Sequence, residues 1–389
     1  MNENIIPKLS KEICVYPLNK NDFFIHQTNF DHRIKISSDL NNFILLIDGK
    51  KDLKNLVYDY NIIYNIGLTT SFAYDFLYGK LAKFGIIESE TVKVKPNLKP
   101  SYIKLSFIVI NERIVSKLTK YLKFLFLPAV MKTILIITFF SLLGCFYIFY
   151  NEILHTNIAK SEWLLLLFLS FVGITFHEFG HASASHYFGA KHGGIGGGFY
   201  LFIPVYFADV TDIWKLSKYQ RIIVNLAGMY FELIYTVFLI LISLLFQNNL
   251  ILILACIYSI SILHNLNPFA RSDGYWVLSD IIEKPNLMHQ GFNQVKRVFK
   301  ISKKWKLIDC FLLFYGLISY SFILVFVYFV LVKNPNSILY FPQNMINFIK
   351  TIFVDNSKFS LKDLGNLFIP ILFFYLLFGW LKTLFMKIK

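Results

Sequence analysis

Apolar and polar positions change rhythm along the chain near residue 100. Before Pro100, short apolar stretches are interleaved with charges, whereas after Val130 long apolar runs are separated by brief polar loops. The boundary is expected between Lys93 and Leu105, around Pro96 and Pro100, giving an N-terminal domain over 1–95, a linker and surface helix over 96–129, and a membrane domain over 130–389.

In the first part, Asp22 to His26 and Arg33 to Ile36 have the length and composition of strands, with Thr28-Asn29-Phe30-Asp31 as the turn between them. Ser37 or Ser38 then caps a helix over Asp39 to Ile47, closed by Asp48-Gly49. Helices over Lys51 to Tyr60 and Thr70 to Lys83 follow, the second introduced by Thr69 and ended by Phe84-Gly85. With a final Ile86-Ile87 this is a small α+β, winged-helix-like plan.

In the second part, six segments can cross a hydrocarbon core of roughly 30 Å at about 1.5 Å per residue: Val130–Tyr150, Trp163–Tyr187, Ile222–Phe246, Ile251–Leu266, Leu307–Val332 and Leu364–Leu381. The fold class expected is an α-helical membrane protein of about six spans with a re-entrant or hairpin segment. Between Leu105 and Leu127, apolar residues mixed with Arg113, Lys117, Lys120 and Lys123 predict a helix lying along the membrane surface before the first span.

The formal net charge of +15 raises nucleic acid as a partner, but Lys and Arg gather at the ends of apolar segments rather than in a basic binding motif. The charge therefore reads as membrane orientation and not as nucleic-acid binding. Basic residues crowd the loops after the second and fourth spans, which places both chain ends and these loops in the cytosol. Lys333, Lys350, Lys358 and Lys362 run against that count. The first residues lack an apolar core, so no signal peptide is expected. Cys14, Cys145, Cys256 and Cys310 form no CxxC pair and suggest neither a disulfide framework nor a thiolate metal site.

Chemistry enters at His177-Glu178-Phe179-Gly180-His181, inside the second apolar segment. On a helix, imidazoles four residues apart share a face and can bind one Zn²⁺, while Glu178 is placed to take a proton from the attacking water and pass it to the leaving amine. Ionisable groups are costly inside a span and therefore point to function. His186, five residues past His181, falls off the ligand face, so a third ligand must come from elsewhere. Asp273, in Asn265-Leu266-Asn267-Pro268-Phe269-Ala270-Arg271-Ser272-Asp273-Gly274, is the first candidate and Glu232 the second. Depth allows the first: Trp163 to His177 and Ile251 to Asn265 both descend about 21 Å of helix, and depth does not exclude Glu232.

The pair of motifs, HExxH at His177–His181 and NxxPxxxxDG at Asn265, Pro268, Asp273 and Gly274, resembles the site-2-protease-type (M50) intramembrane metalloproteases over about Leu105 to Asp280. The resemblance implies His177, His181 and Asp273 as zinc ligands, Glu178 as general base and acid, and Asn265 as a polar group steadying the substrate carbonyl or oxyanion. Met229 departs from the family, which often has Pro after Ala-Gly. The N-terminal part, notably the Arg33 to Ile36 strand and Leu46-Ile47-Asp48-Gly49, resembles PqqD-like domains, which recognise leader peptides of ribosomally made, modified peptides. Together they resemble peptide zinc metalloproteases encoded with bacteriocins and modified peptides. The implied partners are a precursor or membrane-associated peptide whose leader binds residues 1–95, the lipid bilayer, and exporter or biosynthetic proteins. Two other functions stay open, intramembrane cleavage of an anti-sigma or other signalling protein and a non-enzymatic transporter or immunity protein. Finally, Gly193-Gly194-Ile195-Gly196-Gly197-Gly198 lacks the Lys-Ser/Thr of a phosphate loop and is expected to begin a hairpin or re-entrant segment over Phe199 to Ala208, whose edge an extended substrate could join.

Overall fold

The computed structural model describes residues 5–18, 22–30, 32–89, 92–95, 103–155, 163–200, 203–269, 271–298 and 305–353, with Pro370, Ile371, Phe373, Phe374, Leu377 and Phe378 beyond them. The chain divides into two compact units, 1–101 with 212–221, and 102–211 with 222–389.

The first unit contains a three-stranded antiparallel meander of β1 (Ile13–Pro17), β2 (Asp22–Gln27) and β3 (His32–Ser37). The strand β1 has no counterpart among the sequence expectations; its side chains are half-buried or exposed, so it carries no clean alternation to read. Side-chain oxygens start the helices that follow. Ser37 accepts from the Leu40 N–H ahead of α1 (Ser38–Leu45), Asp52 from Asn55 ahead of α2 (Leu53–Tyr64), and Thr69 from Phe72 ahead of α3 (Thr70–Tyr74). Each satisfies an amide that the first helical turn leaves without a partner. The third helix loosens into a π-helical stretch over Asp75–Leu81 and a 3-10 turn over Ala82–Phe84 before Gly85 at φ +69°. Ile25, Phe43, Leu53, Leu56, Leu77 and Ile86 form the heart of the core, and Tyr60 ties α2 to α1 by donating to the Asp39 carbonyl at 2.7 Å.

The second unit is mostly helical. Four helices are long and apolar enough to cross a membrane: α5 (Pro128–His155), α6 (Trp163–Tyr187), α7 (Lys218–Phe246) and α11 (Leu307–Tyr328), the last continuing as a π-helical turn to Lys333. The six expected spans therefore become four among the described residues. The fourth expected span is α8 (Asn249–Asn265), apolar but only 17 residues long, because the Asn265–Pro268 turn ends it. The expected Leu364–Leu381 span lies largely outside the described residues. The remaining helices are α4 (Glu112–Leu122), α9 (Asp273–Ile282), α10 (Leu287–Arg297), α12 (Pro335–Leu339) and α13 (Phe341–Phe353).

Two expectations are corrected here. The stretch expected to be one surface helix over Leu105 to Leu127 begins as a strand, β4 (Ile103–Ile110), and only α4 is helical before a 3-10 turn at Lys123–Phe126. The run Ile103 to Ile110 is rich in β-branched residues that favour a strand, and Asn111, whose side chain accepts from the Ile114 N–H at 3.0 Å, starts the helix. The hairpin also starts earlier than Phe199. Gly196, Gly197 and Gly198 fall within β5 (Ile195–Tyr200), paired on one side with β4 and on the other with β6 (Ile203–Ala208). A Cβ at Gly194 would crowd the Ile110 carbonyl and the Ile108 side chain, so β4 approaches too closely for a side chain there.

Leu77 is fully buried and Leu45 is exposed. Leu77→Ala is expected to lower the stability of the first unit by about 2–5 kcal/mol, and Leu45→Ala to change it by less than about 0.5 kcal/mol. Pulse proteolysis of the full-length protein in urea, following the N-terminal fragment, measures both.

Candidate metal centre

His177, Glu178 and His181 lie two turns from the end of α6, and all three are buried. Their neighbours come from α7. His181 Nδ1 lies 2.8 Å from the Val224 carbonyl oxygen, to which it donates. Glu232 Oε1 lies 3.1 Å from His177 Nδ1, an electrostatic contact rather than a well-aligned hydrogen bond. With both Nδ1 protons drawn outward, each Nε2 keeps a lone pair. These two nitrogens face each other at 3.1 Å. Gly228 makes that approach to α7 feasible, because a Cβ there would overlap the Nε2 atoms of both rings.

The third group arrives by the turn after α8. Asn267 organises it: its side-chain oxygen accepts from the Phe269 N–H at 3.0 Å, and its carbonyl accepts from the Ser272 hydroxyl at 2.8 Å. Tyr315 of α11 donates to the Pro268 carbonyl at 2.8 Å, and its ring stacks on Phe269. Gly274 lets the start of α9 lie against the end of α8, since a Cβ there would overlap the Leu266 backbone. Farther along α9, the buried Asp280 accepts from Asn225 of α7 at 2.9 Å. The helix is thus fixed at both ends, and Asp273 Oδ2 comes to 3.1 Å from His177 Nε2 and 3.5 Å from His181 Nε2. Burial alone would raise the Asp273 pKa, and protonation of His181 and His177 would outweigh it, holding the carboxyl well below the usual range.

Two imidazole lone pairs and a carboxylate oxygen repel one another unless something positive stands between them. Asp273 Oδ2 is buried without a hydrogen-bond partner of good geometry. A tetrahedral zinc with N and O ligands at about 2.0–2.1 Å holds them about 3.3–3.4 Å apart, close to the observed 3.1, 3.1 and 3.5 Å. The three residues fit the metal. They also form a His/Asp group able to hold an ion among the described residues.

The other candidates sit apart from this trio. Glu232 contacts the Nδ1 side of His177, away from the Nε2 atoms. Asn265 turns its amide to Glu232, 3.3 Å from each carboxylate oxygen. His186 lies off the site, 2.9 Å from the Thr119 hydroxyl, which is also 3.2 Å from His192. Glu178 Oε2 accepts from the Ala208 N–H at 2.7 Å, so the last residue of β6 ends at this carboxylate. Sequence reasoning passes over Val224, Gly228, Ala208, Asn225 and Asp280. Only the Gly228 position gives a hint, in a small-residue Ala-Gly pair on an apolar helix.

Over 119 residues, 30% of this chain and 47% of the other, the chain is 29% identical to a Bacillus subtilis (strain 168) protein named "Putative peptide zinc metalloprotease protein YydH". The chain is therefore similar to a zinc metalloprotease-like protein, matching about half of that protein's length. No protein-family model matches the chain. No solved structure matches it either.

Two substitutions separate the trio from its surroundings. Asp273→Ala is expected to empty the site, whereas Glu232→Ala leaves roughly one metal per chain with weaker affinity, by about 10–100-fold as for groups that orient metal-binding His. Metal content of the purified variants, with chelator competition, checks this. Gly228→Ala is expected to abolish metal binding while the helical circular-dichroism signal persists.

Proposed function

We propose that the chain is a membrane-embedded zinc endopeptidase of the site-2-protease type that cleaves a precursor or membrane-associated peptide near the cytosolic side. The observation that supports this most is the convergence of His177, His181 and Asp273 beside Glu178 on a helix long and apolar enough to cross a membrane. Zinc, when bound, supplies a Lewis acid for the scissile carbonyl and lowers the pKa of water.

His177, His181 and Asp273 would hold the ion, three protein ligands leaving a position open. Val224 and Glu232 keep the imidazole rings turned so that Nε2 faces it. The Ala208 N–H holds Oε2 of Glu178 and leaves Oε1 to take a proton from the attacking water and deliver it to the departing amine. β6 is an edge strand of its sheet, and an extended substrate laid along it would run towards that carboxylate. Strand addition suits a protease because it presents peptide bonds that a helix would shield. Asn265 would steady the substrate carbonyl once Glu232 releases one amide hydrogen, and this role rests on the family resemblance alone.

The N-terminal unit would bind the leader of the peptide. Its meander ends in β3, an edge strand of the kind peptides can extend. Holding a weakly bound leader on the same chain raises its effective concentration to about the millimolar range.

Glu178→Gln is expected to stop cleavage and retain roughly one zinc, since it removes the proton carrier and no ligand. Mass spectrometry of peptides from cells carrying either form, with metal analysis of the purified proteins, gives both readings, and retained cleavage overturns the mechanism. A chain beginning near Leu105 is expected to keep its zinc and lose most cleavage of the full precursor, but lose less against a leaderless fragment at high concentration. Equal losses for both substrates would make the N-terminal unit a structural cap.

A further inference from the structure

α4 turns its exposed face in two chemically distinct halves. At roughly 100° per residue, Arg113, Lys117 and Lys120 form one stripe, and Ile114, Leu118 and Tyr121 form the stripe beside it. All six are exposed, Tyr121 at 68%. The opposite face is buried through Val115 and Thr119. There the Thr119 hydroxyl contacts His186 at the end of α6 and His192 just before β5, so the helix cannot roll to hide either stripe. In sequence the helix is flanked by further exposed apolar residues, Leu105, Phe107, Ile108 and Val109 of β4 before it and Phe124 and Leu127 after it. The first candidate span, α5, starts at Pro128 immediately after.

A helix whose apolar stripe lies beside a cationic one, directly before a span, has the arrangement of one lying in the interfacial plane. We propose that α4 is an anionic-phospholipid site, with Arg113, Lys117 and Lys120 receiving headgroup phosphates while Ile114, Leu118 and Tyr121 enter the acyl boundary. The choice of lipid follows from charge. Three cations along one stripe face solvent, and Glu112, the acidic residue of α4, stands at its N-terminal end, where the helix dipole favours a negative charge. Seated this way, α4 would hold the β4–β5–β6 sheet at the membrane surface, and Thr119 would connect that seat to the end of the helix that carries His177 and His181.

This reading requires α5 to cross a bilayer but does not require the chain to be a protease. The test uses the full-length protein in nanodiscs of phosphatidylcholine, with or without phosphatidylglycerol, and follows hydrogen–deuterium exchange over Glu112–Leu122. Phosphatidylglycerol is expected to slow exchange there, and high salt to reverse the effect. The affinity of α4 for the phosphatidylglycerol surface should fall about fivefold per cation removed, so half-protection needs a higher phosphatidylglycerol fraction in Lys117→Gln and is lost in Arg113→Gln/Lys117→Gln/Lys120→Gln. Equal exchange in both lipids overturns the proposal. Protection that depends on protein concentration and not on lipid assigns the face to a second copy of the chain, which also overturns it. Failure of the protein to enter bilayers at all would overturn the membrane reading with it.

Discussion

The close approach of α7 to α6 is the constraint on which the site depends. The glycine at 228 removes the one side-chain atom that would stand where the Nε2 atoms of His177 and His181 meet. With that space open, the Val224 carbonyl can hold one ring and Glu232 can face the other. Without it, the two nitrogens would be pushed apart and the proton positions would no longer be dictated from outside. The same contact buries Phe231 and Val224 completely, so packing and ligand geometry are set by one interface.

Such a cluster is expensive inside apolar surroundings. Two imidazoles, three carboxylates and an amide are collected within one helical layer, each requiring a partner to offset the loss of water. The arrangement provides partners in chains: Asn265 to Glu232 to His177, Val224 to His181, and Ala208 to Glu178. What is left over is three electron-pair donors pointing at one spot, a repulsive set that a divalent cation would turn into an attractive one. A cation bound there would therefore add its binding free energy to the stability of this region.

The turn between α8 and α9 solves a second problem, returning the chain so that a carboxylate from beyond one helix reaches side chains of another. Pro268 cannot continue a hydrogen-bonded helix, Asn267 replaces the lost backbone bonds with side-chain ones, and Gly274 allows the start of α9 to rest on the end of α8. Tyr315 then fixes the turn from α11, and Asn225 fixes α9 from α7. Asp273 is therefore held by three different helices although it belongs to a short segment.

Much of this was legible in the residues. Apolar runs marked the long helices, and the capping residues Ser37 and Thr69 marked helix starts, because these depend on local periodicity and on side chains bonding their own backbone; the cap at Asp52 shows only in the structure. The i, i+4 spacing of His177 and His181 put two imidazoles on one face for the same local reason. The strand at Ile103–Ile110 escapes the sequence reading because its apolar run, taken together with the basic residues from Arg113 to Lys123, reads as one amphipathic segment, and the pairing with β5 separates the two. The glycine run reads as the beginning of a hairpin from Phe199, and only the pairing with β4 and β6 shows the strand starting at Ile195. Whether Asp273 or Glu232 completes the trio could not follow from spacing, since both sit at compatible depths. The sequence by itself determined the long apolar helices, the helices of the first unit and which groups are chemically able to act. The tertiary structure decided which nitrogen of each imidazole faces inward and on which side of His177 each carboxylate stands, because those depend on the approach of α7 and α9 to α6, distances that no local pattern encodes.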